Sequence, residues 1–287
     1  MGETLYMVTG ASGQLGQLVI AALKTKVAPA QILGLVRKPA DAEALQAQGI
    51  GARIGDYDDV ASLTAAFVGV GRLLLISSSA VGQRARQHGN AVAAAKAAGV
   101  GFIAYTSILN AQASAMALAA EHKATETMIV ESGIPHAFLR NGWYSENLLA
   151  ALETDLALGK HFGAAGEGKF STAPRHDYAE AAAVVLAGTG HEGKTYELAG
   201  DSAVTLADFA ALLSQAAGKT VSYVDMPEAD YAAALIGAGL PEGFAKILAD
   251  SDAQAAKGAL YEAGGALSAL IGHPTEPMAQ TIARALA

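Results

Sequence analysis

The stretch "TLYMVTGASGQLGQLVIAAL" (Thr4–Leu23) decides the fold class of this chain. It begins with a short apolar run, and glycines follow at positions 10, 13 and 16. Apolar residues then recur three and four positions apart, which is the spacing of one helix face: Leu15, Leu18, Val19, Ala22 and Leu23. A strand, a glycine-rich turn and a helix in this order let backbone N–H groups and the helix N-terminus converge on a phosphate group. The first glycine gap is one residue longer than in the commonest dinucleotide-binding pattern, so a structural turn without a ligand is the alternative.

Short apolar runs alternate with alanine-rich segments through the first half of the chain. After Thr4–Thr9 the runs are Ile32–Val36, Ala52–Gly55, Arg72–Ser77, Phe102–Ser107 and His136–Arg140. Such runs are typical of parallel strands covered on both faces. We predict an α/β fold with a doubly wound parallel sheet, a dinucleotide-binding Rossmann domain over residues 1–145. Residues 177–198 are expected to return a helix and a strand to it. The rest of 146–287 would form a smaller, substrate-binding C-terminal α/β lobe; after residue 145 only "TYELAG" and "VSYVDM" are strand-like.

Two other glycine-rich segments fit a phosphate-binding loop less well. "GTGHEGKT" (Gly188–Thr195) matches G-x-x-x-x-G-K-[ST] letter for letter, but it follows a helical segment and precedes a strand-like one. This order is the reverse of the one required. "GAAGEGKF" (Gly163–Phe170) lacks the final Ser or Thr and is expected to have no strand before it. We interpret both as connections, with ATP hydrolysis through Lys194 as the alternative for the first.

The composition excludes several classes of function. The 287 residues carry a formal net charge of −8, which would repel nucleic acid and anionic membranes. The absence of cysteine excludes disulfides, thiolate catalysis and cysteine-ligated metals. The histidines show no metal-binding spacing, so no metal is expected. Because no signal peptide or membrane span is recognisable, we expect a cytoplasmic protein with a small-molecule partner, either a monomer or a homodimer.

The residues after the second apolar run indicate which dinucleotide would bind. A carboxylate there would bind the ribose hydroxyl of NAD, but the chain has Arg37 and Lys38. Their charges would attract the 2′-phosphate of NADPH, and arginine can bind phosphate through two N–H groups. We predict NADPH as the cofactor, with NADH weaker. A solvated pair of surface cations is the alternative.

The predicted cofactor-binding residues lie on the glycine turn and at the ends of strands. They are Gly10, Ser12, Gly13, Gln14, Leu15, Gly16, Arg37, Lys38, Asp56, Ser77, Ser78 and Thr106. The hydroxyl residues could equally cap strand ends. Asp56 could reach the adenine, or cap a helix beginning near Asp58.

Several segments resemble the NmrA-like, atypical branch of the short-chain dehydrogenase/reductase superfamily. They are "TGASGQLG" (9–16), "LLLISSSAVGQR" (73–84), "AAKAAGVGFIAYTS" (94–107), "LRNGWYSEN" (139–147) and "LIGHPT" (270–275). The resemblance covers nearly the whole chain and extends to the NADPH-dependent quinone reductases of this branch, relatives of triphenylmethane reductases. It implies hydride transfer from NADPH to quinones or similar planar electrophiles.

The usual catalytic pair of the superfamily, Tyr-x-x-x-Lys, does not occur in this chain. Quinones fit its absence, because they accept hydride without prior protonation. The segment "RNGWYSEN" offers aromatic faces and amides to such an acceptor. Asn141 and Tyr144, together with His122, are predicted to position the substrate, and Trp143 and Asn147 to bind it. Each of these roles has an alternative. Trp143 could instead pack in the core, and His122 could lie on a helix surface paired with Glu126. Lys123 could touch the cofactor ribose or could be solvated.

A second function is compatible with the same residues. NmrA-like proteins include redox sensors that bind the dinucleotide without turnover and regulate a partner protein. The aromatic segment favours an enzyme, since a sensor needs no acceptor site. Flavin is not expected, because direct hydride transfer does not require it.

Overall fold

The computed structural model describes residues 3–287, which divide into two compact units. The first comprises residues 3–111, Glu121–Arg140 and Arg175–Tyr196, and the second comprises Gln112–Ala120, Asn141–Pro174 and Glu197–Ala287. The segment that returns to the first unit is thus close to the expected 177–198. The grouping of Gln112–Ala120 with the second unit has no counterpart in the sequence analysis, because no change in composition marks it.

The first unit is built on a seven-stranded parallel sheet with the order β3-β2-β1-β4-β5-β6-β8. The strands are β1 (Leu5–Val8), β2 (Ile32–Val36), β3 (Gly51–Ile54), β4 (Val70–Leu75), β5 (Phe102–Ile108), β6 (His136–Asn141) and β8 (Lys194–Leu198). The order reverses between β1 and β4, which are direct neighbours. Ligands of open α/β sheets bind outside the carboxyl ends of the strands at such a reversal. The predicted doubly wound Rossmann architecture is confirmed.

Helices cover this sheet and bury its apolar strands. They are α1 (Gln14–Leu23), α2 (Pro39–Gln46), α3 (Val60–Phe67), α4 (Arg84–Ala97), α5 (Ala119–Ser132) and α8 (Arg175–Ala187). Every residue of β2 and β5 is buried. The core joins strand residues such as Met7, Leu73 and Ile103 to the small residues Ala91 and Ala94 of α4. Continuous apolar runs therefore became strands because both of their faces are covered.

The apolar runs predict the six strands of the first half to within two residues at each end. The segment "GTGHEGKT" connects α8, which ends at Ala187, to β8, which begins at Lys194. Its interpretation as a helix-to-strand connection is confirmed, because Lys194 is the first residue of a strand and not part of a helix N-terminus.

The second unit contains a two-stranded parallel sheet of β7 (Lys160–Gly163) and β9 (Ser222–Asp225). Its helices are α6 (Ser145–Leu148), α7 (Leu152–Leu158), α9 (Leu206–Ala217), α10 (Glu228–Gly237), α11 (Glu242–Ala255), α12 (Ala266–Ile271) and α13 (Met278–Leu286). The sequence predicts β9 but misses β7. The four residues of β7 carry a single large apolar side chain, Phe162, which is too little for a periodicity to be visible.

The expectation that no strand precedes "GAAGEGKF" is therefore wrong, but the segment still does not present free amides to an anion. The N–H of Ala164 donates to Asp252 at 3.0 Å, and that of Ala165 to the Tyr223 hydroxyl at 3.1 Å. The N–H of Gly166 donates to Asp225 at 2.8 Å. Three consecutive amides are thus occupied by side chains of the same unit.

The buried carboxyl of Asp252 makes the stability of the second unit depend on pH. Burial raises its pKa from 3.8 to about 6, against the bond from Ala164 and the nearby His161. Because the folded pKa lies above the unfolded value, the contribution of Asp252 to stability is fully present below about pH 3.8 and is lost as pH rises through about 6. We expect Asp252→Asn, which keeps an acceptor for Ala164, to raise the free energy of unfolding by up to about 3 kcal/mol above this range.

Thermal unfolding on both sides of the titration range measures this effect. Below the unfolded pKa the variant should match the parent protein, since Asp252 is then neutral in both states. Asp230→Asn removes the same charge from the exposed face of α10 and should show no such pH dependence. A gain for Asp252→Asn that is equal at all pH values would contradict the prediction.

Candidate functional site

The glycine turn, residues 10–13, joins β1 to α1 at the carboxyl end of a central strand, and Gly16 lies in the first turn of α1. Gly10 has a φ of +58°, a conformation that glycine adopts without strain. Its carbonyl accepts the N–H of Gly13 at 2.9 Å, which closes the turn. A Cβ on Gly16 would collide with the Gly10 carbonyl oxygen and lie 2.9 Å from the Ala11 Cα. Gly16 therefore allows α1 to begin directly against the turn.

The N-terminus of α1 is open to a ligand. Gly13 precedes the first helical residue, and no side chain caps the free N–H groups there. Ser12, Gly13 and Gln14 are exposed, while Leu15 is buried in the core. Uncapped N–H groups and the positive end of a ten-residue helix together form an anion-binding site.

Two cations lie at the end of the neighbouring strand. Arg37 and Lys38 directly follow β2, which pairs with β1, and both are exposed. Neither makes a hydrogen bond or ion pair with the residues that the structure describes. The nearby Asp58 pairs instead with Arg86 at 2.6 Å, which holds the pKa of Asp58 below its usual value, with a smaller contribution from Arg37. The charges of Arg37 and Lys38 therefore remain available to an anion.

A short loop after β4, Ile76–Ser79, which we call the β4 exit loop, lies beside the glycine turn. A Cβ on Gly10 would lie 3.8 Å from the Ile76 Cβ. The Ile76 N–H donates to Thr9 Oγ1 at 2.8 Å, and the Ser77 N–H donates to Thr106 Oγ1 at 2.9 Å. The structure thus brings the predicted residues Ser77, Ser78 and Thr106 to the reversal point of the sheet, although Thr106 itself is buried.

His122 occupies a different environment from either of those expected. It is 5% exposed, and its Nδ1 lies 2.8 Å from the Tyr105 hydroxyl. Its Nε2 lies 3.4 Å from a guanidinium nitrogen of Arg84, which can only donate. Burial, and then the charge of Arg84, lowers the pKa of His122 to about 3, so the ring is neutral. Both ring nitrogens contact protein groups and the ring is buried, so His122 does not lie on the helix surface; its role in positioning the substrate stays a prediction.

Glu126 is also buried and does not pair with His122. It accepts two hydrogen bonds from the Arg140 guanidinium, at 2.9 and 2.7 Å, and one from Ser107 Oγ at 2.6 Å. Lys123, between these two residues, is exposed. The helix face that carries His122 and Glu126 is therefore a buried polar contact of α5 with β5 and β6.

The segment Asn141–Asn147 belongs to the second unit and carries residues predicted to contact the substrate. Asn141 Nδ2 donates to the Tyr144 hydroxyl at 3.2 Å, so two predicted residues are in contact. Asn141 Oδ1 and Ser145 Oγ are buried without a hydrogen-bond partner among the described residues. Buried polar atoms are normally paired, so these two can serve a polar ligand. Trp143 and Asn147 are partly exposed.

A comparison with protein families gives a match over most of the chain. A family model described as the NmrA-like family matches residues 3–272. The chain belongs to the NmrA-like family.

Relatives of this NmrA-like chain include a quinone oxidoreductase and a triphenylmethane reductase. The chain is 56% identical to quinone oxidoreductase 2 of Escherichia coli (strain K12) over 278 residues, which cover 97% of each protein. A solved structure of the NADPH-dependent quinone oxidoreductase of Escherichia coli with NADPH matches with a TM-score of 0.97 and 55% identity, covering 99% of this chain and 100% of that one. Triphenylmethane reductase of Citrobacter sp. with NADP(H) matches with a TM-score of 0.93 and 38% identity, covering 98% and 99%.

One predicted role of Asp56 in the NmrA-like chain is corrected by the structure. The helix α3 begins at Val60, and Asp59 caps it by accepting from the N–H groups of Ala61 and Ser62. Asp56 accepts instead from the N–H of Asp58 at 3.0 Å. It stabilises the loop before the cap, and contact with an adenine stays a prediction.

Some polar residues around the β4 exit loop were missed by the sequence analysis. They are Arg84, Gln87 and His88 on α4, Tyr105 on β5, and Glu121 and Thr125 on α5. Gln87 and His88 are buried on a helix whose core face is otherwise alanine and valine. Gln87 and His88 occupy positions on the same helix face as the buried alanines and valine. A periodicity that counts only apolar residues passes over such polar residues, so the sequence analysis did not identify them.

Residues 3–287 contain neither a cluster of metal ligands nor a membrane-spanning helix. No described group of three or more histidines or carboxylates could hold a metal ion. None of the described helices is both long enough and apolar enough to span a membrane.

Proposed function

We propose that this protein is an NADPH-dependent reductase that transfers hydride to quinones or similar planar electrophiles. The observation that carries the proposal is the uncapped glycine turn with the unpaired Arg37 and Lys38 beside it. It occurs in a chain that is 56% identical to a quinone oxidoreductase over 97% of its length.

The residues of the first unit fit NADPH. The turn and the N-terminal amides of α1 would bind the pyrophosphate. Arg37 and Lys38 would bind the 2′-phosphate, which NADH lacks, so NADH should bind more weakly. When bound, NADPH supplies a hydride from its nicotinamide ring. No metal or flavin is required for this chemistry.

The available side chains favour an acceptor that needs no acid catalyst. The chain has no Tyr-x-x-x-Lys pair. Tyr105, which is hydrogen-bonded to a histidine, is fully buried, and burial raises its pKa well above its usual value. A ketone needs a proton donor as hydride arrives, whereas a quinone does not, and the hydroquinone oxygens can take protons from water.

The acceptor would be bound by the segment Asn141–Asn147. Trp143 and Tyr144 offer flat apolar surfaces for a planar ring. Asn141 Oδ1 can accept a hydrogen bond from a hydroquinone hydroxyl, since it has no partner among the described residues. The negative net charge of −8 supports a small-molecule partner over nucleic acid. As a separate point, we infer a cytoplasmic location.

The test is NADPH oxidation in the presence of a benzoquinone, a naphthoquinone, a triphenylmethane dye and a simple ketone. We expect turnover with the quinones and the dye, and none with the ketone. Tight NADPH binding without turnover of any acceptor would instead favour a redox sensor. Turnover of the ketone at a comparable rate would contradict the argument from the missing acid.

A further inference from the structure

One residue of the β4 exit loop, Ser78, makes three hydrogen bonds to one face of α4, besides accepting from the N–H of Ala80 at 3.0 Å. Its N–H donates to His88 Nε2 at 2.9 Å, and its hydroxyl donates to Gln87 at 2.7 Å. Its carbonyl accepts from Arg84 Nε at 2.5 Å. Residues 84, 87 and 88 are spaced three and four apart, so they share this face. Thr9 and Thr106 bind the N–H groups of the two preceding loop residues, so the backbone of the loop is fixed by hydrogen bonds at three consecutive residues.

The protonation of His88 is determined by its neighbours. A backbone N–H can only donate, so Nε2 must accept from Ser78 and the ring proton must be on Nδ1. Nδ1 lies 2.9 Å from Thr125 Oγ1, whose own proton is donated to the Glu121 carbonyl at 2.8 Å. Burial, and then the charge of Arg84, lowers the pKa of His88 to about 3. The ring therefore stays a neutral acceptor for Ser78.

The loop that His88 holds is next to the glycine turn. Ile76, two residues before Ser78, is within van der Waals contact of the position of a Gly10 side chain. Thr9, the residue before Gly10, binds the Ile76 N–H and the Leu74 carbonyl. Both segments follow the two strands between which the sheet order reverses. A coenzyme bound on the turn would therefore meet the exit loop as the adjacent wall.

We propose that His88 is a positioning residue for the coenzyme. Through Nε2 it holds the Ser78 amide and so keeps the β4 exit loop in the position that NADPH requires. The inference rests on the proposed function, since it assumes that NADPH binds at the glycine turn. A loop that is already ordered costs less free energy to engage than one that must be ordered by the ligand.

Two polar substitutions of similar size separate the contact to Ser78 from the contact to Thr125. His88→Gln can place an amide oxygen near the position of Nε2, whereas the shorter His88→Asn reaches only as far as Nδ1. Val92→Ala, on the same helix and in the same core, is the matched control for lost stability. The measurements are the NADPH Kd by fluorescence titration, the KM for NADPH and for the quinone, and the Tm of each full-length variant.

We expect His88→Gln to bind NADPH within about two-fold of the parent, and His88→Asn about ten-fold more weakly. The KM for NADPH should rise in the Asn variant while the KM for the quinone is unchanged. Val92→Ala should lower the Tm without changing the Kd. If the Asn variant does not fold, His88→Leu, which fills the space of the ring without an acceptor for the Ser78 N–H, should weaken NADPH binding in the same way.

Equal NADPH affinity in both His88 variants and the parent would overturn the positioning role and leave the proposed function standing. A weakening in Val92→Ala as large as in His88→Asn would also overturn it, because general loss of stability would then explain both. Failure of the parent protein itself to bind NADPH would remove the proposed function, and this inference with it.

Discussion

Arg37→Asp is expected to reverse the preference between the two nicotinamide coenzymes. The variant should lose roughly ten- to hundred-fold in NADPH affinity from the missing charge-assisted bond, and the new carboxylate would repel the 2′-phosphate further. The KM for NADH should change little or fall, because a carboxylate near this position can bind the ribose hydroxyls. Steady-state kinetics with both coenzymes and one quinone measure the ratio.

The matched control is Lys96→Asp, which makes the same charge change in the last turn of α4. That turn precedes β5 and so belongs to the amino edge of the sheet, away from the carboxyl ends of the strands. It should change both KM values equally, if at all. Parallel changes for NADPH and NADH in Arg37→Asp would mean that the two cations are an ordinary solvated pair.

The second large effect is expected from the buried ion pair between α5 and β6. Glu126→Leu would leave the Arg140 guanidinium, whose side chain is only 14% exposed, without its bidentate carboxylate. Ser107 would lose its acceptor as well. Removing one partner of a buried pair typically costs about 3–5 kcal/mol. Chemical denaturation of the variant, monitored by circular dichroism, measures this loss.

A double variant tests the physical reason. Glu126→Leu combined with Arg140→Met removes both charges, and most of the lost stability should return, since the uncompensated charge is gone. Glu242→Ala breaks an exposed pair with Lys246 on α11 and should have no measurable effect. A Glu126→Leu variant as stable as the parent would show that the pair is not needed for the packing of α5 on the sheet.

Much of the fold could be predicted from short segments of sequence. The strands of the first half were recognisable because both faces are covered, which makes each run apolar from end to end. The turn at Gly10 and the direction of the Lys194 connection follow from element order alone. The strand β7 was missed because four residues with one large apolar side chain show no period.

The candidate site could be predicted only in part. The roles of Gly10, Gly16 and Arg37 could be predicted, because each follows from the position of the residue relative to a strand or helix that the sequence already indicates. His122 and Glu126 were not, because their partners, Tyr105, Arg84 and Arg140, are distant in sequence. Their spacing on one helix suggested that they pair with each other, but in the structure each binds residues that are distant in sequence instead.

The amino-acid sequence by itself determined the alternation of strands and helices, the open turn after β1 and the positive charge beside it. These properties depend on neighbours within a few residues along the chain. Only the tertiary structure decided which polar side chains are buried together, that His88 and His122 are neutral, and that the β4 exit loop is held from α4. The physical reason is that protonation and hydrogen bonding of a buried group depend on desolvation and on partners from other elements, which no local pattern contains.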